Sequence, residues 1–210
     1  TIRRFMQNLV IELETEKIKL NGWGGFNESR FQYLQHLLVL SGQNANKSGY
    51  DDQFVGESIW PGTMPAAYDS TFVEKAFLYS AVVGDMEPME TTLEMLKSNG
   101  LFSEIEKDTI KMSIGLFYIQ YNQRLGDAEM TGNQEYINDW LDSLSSNGYT
   151  PQDIGSPFEA LQWLKSDVQA TARLRNLISN AKWRYESAYF LAIEAQKLID
   201  LIKDKFELQG

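Results

Sequence analysis

The chain contains no cysteine. That removes disulfides, thiolate catalysis and zinc-thiolate sites together, and it leaves the compartment open, since cytosolic and periplasmic proteins alike can lack the residue. Histidine occurs once, as His36. A ferritin-like metal site needs a Glu-x-x-His element on each of two helices, so no metal and no cofactor is expected. His36 lies among Tyr33, Leu37 and Val39 and reads as a helix-face or core-edge residue. Basic residues are the minority, 19 Lys and Arg against 29 Asp and Glu, for a formal net charge of -10. A phosphate backbone needs a basic face, so no nucleic-acid partner is expected, and the acidic balance mainly confers solubility. No stretch approaches eighteen uninterrupted apolar residues, so nothing in the chain is expected to span a membrane. No signal peptide is present either, and a first residue Thr1 in place of Met reads as a cut or processed chain.

Catalytic patterns are equally scarce. No GxSxG elbow or SxxK motif stands out. Gly22, Gly24 and Gly25 neither follow a strand nor carry a P-loop lysine, so they form no phosphate cradle. Glu12 with Glu16, and Asp51 with Asp52, could pair for acid/base work. The first pair is expected on a solvated helix face and the second in a polar loop, where nothing would tune a carboxylate. An enzyme is therefore the weakest functional class.

What the sequence does have is a long helical signal. From Ser166 to Phe206 no Gly or Pro interrupts an apolar pattern of period three to four. One seam runs Leu174, Ala181, Ala188, Ala195, Ile202, and a second runs Ile178, Tyr185, Ala192, Ile199, Phe206. Each step is seven residues, which keeps both seams on one helical face, in a rod roughly 60 Å long at about 1.5 Å per residue. The alanines allow close approach of a neighbouring helix.

At the other end, Phe5, Met6, Leu9, Leu13 and Leu20 recur at helical spacing with Arg3, Glu12, Glu16 and Lys19 opposite. The pattern returns through Phe31, Leu34, Leu37, Leu38 and Val39. The glycines near Trp23 predict either two helices or one long kinked helix, with the long helix favoured. Residues 42–68 carry turn and loop chemistry, and a connection of that length is usually functional or mobile. Thr71 and Glu74 have capping-box spacing before an almost all-apolar helix over 72–83, with Asp69 or Ser70 as cap. Pro88 opens a short helix over 90–98, stopped by Asn99-Gly100. Asp108 caps a helix over 109–123, and 124–132 is either its end or a loop. Further helices are predicted over 136–144 and from Ser156-Pro157 through Leu164, the last either continuous with the final rod or joined to it at Ser166.

From Thr92 to Tyr118 the chain reads TLEMLKSNGLFSEIEKDTIKMSIGLFY. This resembles an uncharacterised family of bacterial membrane-anchored proteins that share a Leu-Lys-Ser-Ser-Gly element, an Ile, a helix start and two aromatics. Leu96, Lys97, Ser98 and Gly100 match, with Asn99 replacing the second Ser. Ile105, Phe117 and Tyr118 fall at corresponding places, while Ile110-Lys111 replaces the usual Leu-Arg. Arg4 to Leu13 resembles the family's first soluble helix, and Arg173 to Ile178 its C-terminal rod. The resemblance implies a membrane helix upstream of this chain, with the soluble domain in the periplasm. It implies no catalytic residues.

The reading is thus a single all-α domain over 1–210, an elongated antiparallel helical bundle with shorter middle helices, a loop or cap at 42–68 and the long C-terminal helix. Two functions fit a non-catalytic domain of this kind. One is an extracytoplasmic module for protein interaction or signal input, with a possible homodimer. The other is a small-molecule sensor whose pocket lies near Phe54, Trp60, Tyr68 and Phe72. An exposed apolar patch favours the first and an enclosed aromatic pocket the second.

Overall fold

The computed structural model describes residues 2–45, 53–54, 62–82, 86–106 and 108–208, giving the backbone alone at 53, 54, 62 and 127–132. The protein is all-α. In chain order the described elements are α1 (Ile2–Leu40), β1 (Gln53–Phe54), β2 (Gly62–Thr63), α2 (Ser70–Ser80), α3 (Thr91–Ser98), α4 (Asp108–Leu125), α5 (Asp127–Ser145), α6 (Pro157–Ser166) and α7 (Val168–Phe206). The chain gathers into two compact units, one of Thr1–Gly24, Asp85–Glu129 and Glu186–Gly210, the other of Gly25–Gly84 and Met130–Tyr185. Each long helix, α1 and α7, contributes to both.

The helix termini are set by residues that can be read locally. Asp69 accepts a hydrogen bond from the Phe72 N–H at 2.8 Å, which caps α2. Ser156 accepts from the Glu159 N–H at 3.3 Å and Pro157 occupies the first turn of α6,. The predicted alternatives at the last rod resolve into two helices split at Asp167. Its Oδ1 accepts from the N–H groups of Gln169 and Ala170 and so starts α7. At the end of α1, Gly42 takes φ +81°, with the Gly42 and Gln43 N–H groups returning to the Val39 and Leu38 carbonyls. That is the Schellman arrangement, and it needs a residue free to adopt the left-handed conformation.

α1 runs unbroken through its glycines. Gly24 has a packing reason to be there: a Cβ at that position would lie 2.6 Å from Cε1 of Tyr189, so only glycine admits the ring,. The other differences from expectation are local. α4 extends to Leu125, and α5 begins at Asp127 rather than near Tyr136, with Gly126 as the single residue between them. Within the 42–68 connection, Gln53 pairs with Thr63 and Phe54 with Gly62 in a short antiparallel ladder. Trp60 lies outside the described residues.

In the first unit the core takes Met6, Leu9, Leu13 and Leu20 from α1. It takes Ile110, Ile114, Phe117 and Tyr121 from α4, and Ala188, Leu191, Ala195, Leu198 and Ile202 from α7. The two long helices are antiparallel here, since Lys17 reaches Gln196, Glu14 reaches Lys203 and Arg3 reaches the Glu207 carbonyl. In the second unit Phe31, Leu34, Leu37 and Leu38 of α1 join Phe72 and Phe77 of α2, Trp140 and Leu144 of α5, Leu161 and Leu164 of α6, and Leu174, Leu177 and Ala181 of α7. Each fully buried Leu or Phe contributes about 1.5–3 kcal/mol relative to exposure. Of the two α7 seams, every member is buried except Tyr185 and Phe206, which are half-buried at the edges of their cores.

Candidate functional site

In the first unit the acidic side chains of α1 are where the structure departs most from the sequence reading. Glu16 does not lie on a solvated face; it is 2% exposed. Its Oε1 accepts from the Tyr121 hydroxyl at 2.6 Å, and its Oε2 accepts from the Met89 N–H at 3.2 Å and from Lys19 Nζ at 3.3 Å. One turn earlier, Glu12 is half-buried and accepts from both the N–H and the hydroxyl of Thr92, at 2.9 and 2.7 Å to Oε1. Thr92 is the second residue of α3, whose own N-cap position, Glu90, makes no side-chain cap. Glu12 therefore supplies from another helix the acceptor that α3 lacks, and it places negative charge at the positive end of the α3 dipole.

Tyr118 completes the cluster by donating to the Met89 carbonyl at 3.0 Å. Burial, followed by the charges of Glu12, Glu90 and Glu16, pushes the Tyr118 phenol well above its ordinary range. Burial and the hydrogen bond to Glu16 do the same for Tyr121. Both phenols therefore act as donors. A buried Glu–Tyr pair could in principle move a proton, but both Glu16 oxygens are engaged and the pair is closed inside the core. General acid/base work needs a substrate proton within hydrogen-bond reach, so this cluster is a structural one.

A complementary device sits in the second unit. Arg30, 1% exposed, donates from Nε to the Tyr79 carbonyl at 3.0 Å and from Nη2 to the Ser80 carbonyl at 2.7 Å. These are the last carbonyls of α2, at the negative end of its dipole. Burial, with the charge of Arg184 close by, lowers the Arg30 guanidinium to about 9, which still leaves it protonated at neutral pH. Ser80 Oγ donates to the Phe77 carbonyl and accepts from Trp140 Nε1 at 2.7 Å, tying the same helix end to the core tryptophan.

The four sequence candidates separate. Phe72 is wholly buried, its ring 5.4 Å from Tyr33 and 5.2 Å from His36, so it walls the core. His36 itself is 5% exposed and hydrogen-bonds through Nε2 to the Pro65 carbonyl at 2.8 Å. Tyr68 is exposed and stands edge-on to Phe158 at 5.4 Å. Phe54 is placed by its backbone in β1, and Trp60 lies outside the described residues. No group of three or more metal-ligating side chains occurs among the described residues, and none of their helices is long and apolar enough to cross a membrane.

The feature that sequence reasoning passed over is the outer face of α4. Its inner side, Ile110, Ile114, Phe117, Tyr118, Tyr121 and Leu125, is buried, while Met112, Leu116 and Ile119 at i, i+4 and i+7 are 64%, 52% and 53% exposed. Leu116 also edges a shallow groove of about 250 Å³ between α4 and α7, floored by Phe117, Leu198 and Leu201. The twelve residues from Met112 to Gln123 include no charged side chain. That run was available in the sequence as a signal, since a solvated helix in an acidic protein normally carries charge on its outer side.

No protein-family model, curated protein or solved structure matches this chain. The likeness around Thr92 to Tyr118 rests on its short motifs alone.

Proposed function

We propose that this protein is a non-catalytic helical domain that docks a protein partner through the outer face of α4. The observation that carries this reading is the Met112–Leu116–Ile119 strip, a contiguous apolar surface of a few hundred Å², the size at which such patches tend to be functional,. The surrounding residues support it: the face is depleted of charge, as the centre of an interface is, and a groove lies beside it,. The resemblance noted in the sequence supports placing the domain in the periplasm behind a membrane helix upstream of Thr1.

The test is site-specific photocrosslinking in the cells that make the protein, with a benzophenone side chain at Leu116 and, as control, at the exposed Glu104. A discrete product at Leu116 and none at Glu104 is expected. Absence of any discrete product at Leu116 removes the docking reading. The placement is tested separately, by whether an alkaline phosphatase fusion to the full-length protein is active.

A further inference from the structure

Resting on the docking reading, we infer that the occupant of the α4 face is a second copy of this chain, packed antiparallel so that Leu116 of one copy meets Leu116 of the other on a two-fold axis. Three observations lead there. Charge is the first. At a net charge of -10, two copies repel over most of their surface, and the uncharged run from Met112 to Gln123 is a face on which they can approach without that repulsion,. The ends of the same helix are complementary: Asp108 stands in its first turn and Arg124 in its last. Antiparallel packing sets the acidic start of one α4 beside the basic end of the other and opposes the two helix dipoles favourably.

Gly115 is the second. It interrupts the middle of an 18-residue helix, and a Cβ there would meet no atom within 4 Å. Nothing inside the chain needs a glycine at that point, although it costs the helix about 1 kcal/mol relative to alanine. Gly115 precedes Leu116 and lies one turn from Met112 and Ile119, so it opens the place where another helix backbone would come closest. The third is the spacing. Under a two-fold axis at Leu116, Met112 of each copy falls opposite Ile119 of the other, and each Leu116 side chain closes over the groove edge. The arrangement is isologous, as two-fold contacts between identical chains must be. A single helix face buries less than the ~800 Å² per partner of a standard stable interface, so the dimer should exchange, with a Kd in the micromolar range.

The absence of cysteine makes the test clean. In the Leu116→Cys variant, mild oxidation at about 50 µM should give a disulfide-linked dimer, because association raises the effective thiol concentration far above the bulk value. The Ile11→Cys variant, equally exposed on α1, is the control and should link at least about tenfold more slowly,. Sedimentation of the wild-type chain should show a concentration-dependent dimer. Gly115→Arg should be monomeric with an unchanged helical circular dichroism spectrum, since the site has room within the chain. A wild-type chain that stays monomeric at several hundred micromolar, or a Leu116→Cys variant that links no faster than Ile11→Cys, overturns the proposal. In the cell experiment above, a Leu116 product with a mass other than twice the chain's also overturns it while leaving the docking reading in place.

Discussion

Replacing Tyr121 with phenylalanine removes one oxygen and leaves the ring, so it isolates the hydroxyl that Glu16 Oε1 depends on. That bond is 2.6 Å long and lies in the core, and it is the one that reaches Oε1; the Met89 N–H and Lys19 both go to Oε2. A hydrogen bond to a charged group contributes about 1.5–3 kcal/mol, and leaving the acceptor buried without a donor puts the loss toward the upper end, about 2–3 kcal/mol. Urea unfolding at neutral pH, followed by circular dichroism, reads it as a shift in midpoint. Glu16→Gln, combined with Tyr121→Phe in a double-mutant cycle, should show a coupling of at least about 1 kcal/mol, since the two side chains share one bond. The pH dependence gives a second arm. Tyr121 has its pKa raised on folding, so the folded state holds the proton more tightly than the unfolded one. The stability it contributes is complete below the unfolded tyrosine pKa of about 10 and falls as pH rises above that. Tyr121→Phe should flatten the alkaline slope. A loss under about 0.5 kcal/mol with an unaltered slope would refute the claim that Glu16 depends on this hydroxyl.

Glu12→Ala leaves α3 without its cap from α1 and should cost about 1–2 kcal/mol, with faster amide hydrogen exchange at Thr92 than in the wild type,. Arg30→Lys keeps the charge but not the fork that reaches two carbonyls. Leaving one carbonyl buried without a donor should lower stability by about 1–3 kcal/mol in thermal unfolding. Gly126→Ala places a Cβ 2.5 Å from the Asn122 carbonyl oxygen, a backbone atom that cannot swing aside, and should destabilise by about 1–3 kcal/mol,. A neutral effect would show that the junction between α4 and α5 has slack.

Stability and interaction occupy different sides of the same helix in this protein. The inner side of α4 carries Tyr118 and Tyr121 into the acidic cluster that anchors α3, and the outer side carries Met112, Leu116 and Ile119. Substitutions on the outer side can therefore be made without touching the cluster, and the two sets of experiments do not confound each other.

Periodicity and terminus chemistry by themselves determined the all-α class, the two long helices and most of the boundaries. A helix buries one stripe of side chains whatever it packs against, and caps such as Asp69, Ser156 and Gly42 act within four residues of themselves,. Gly24 misled because the cost of a glycine is local while its reason, the ring of Tyr189, is far away in sequence. Glu16 and Arg30 misled for a related cause. Each lies in register with a buried stripe, Glu16 between Leu13 and Leu20 and Arg30 between Asn27 and Leu34, but a charge in that register is tolerable only if a partner meets it there,. The partners, Tyr121 and Met89 for one and the last carbonyls of α2 for the other, are brought by tertiary structure from 49 to 105 residues away. The same holds for the α4 face. The uncharged run is written in the sequence, but which of its apolar residues are consumed by the core and which are left facing solvent was decided only when the helices packed.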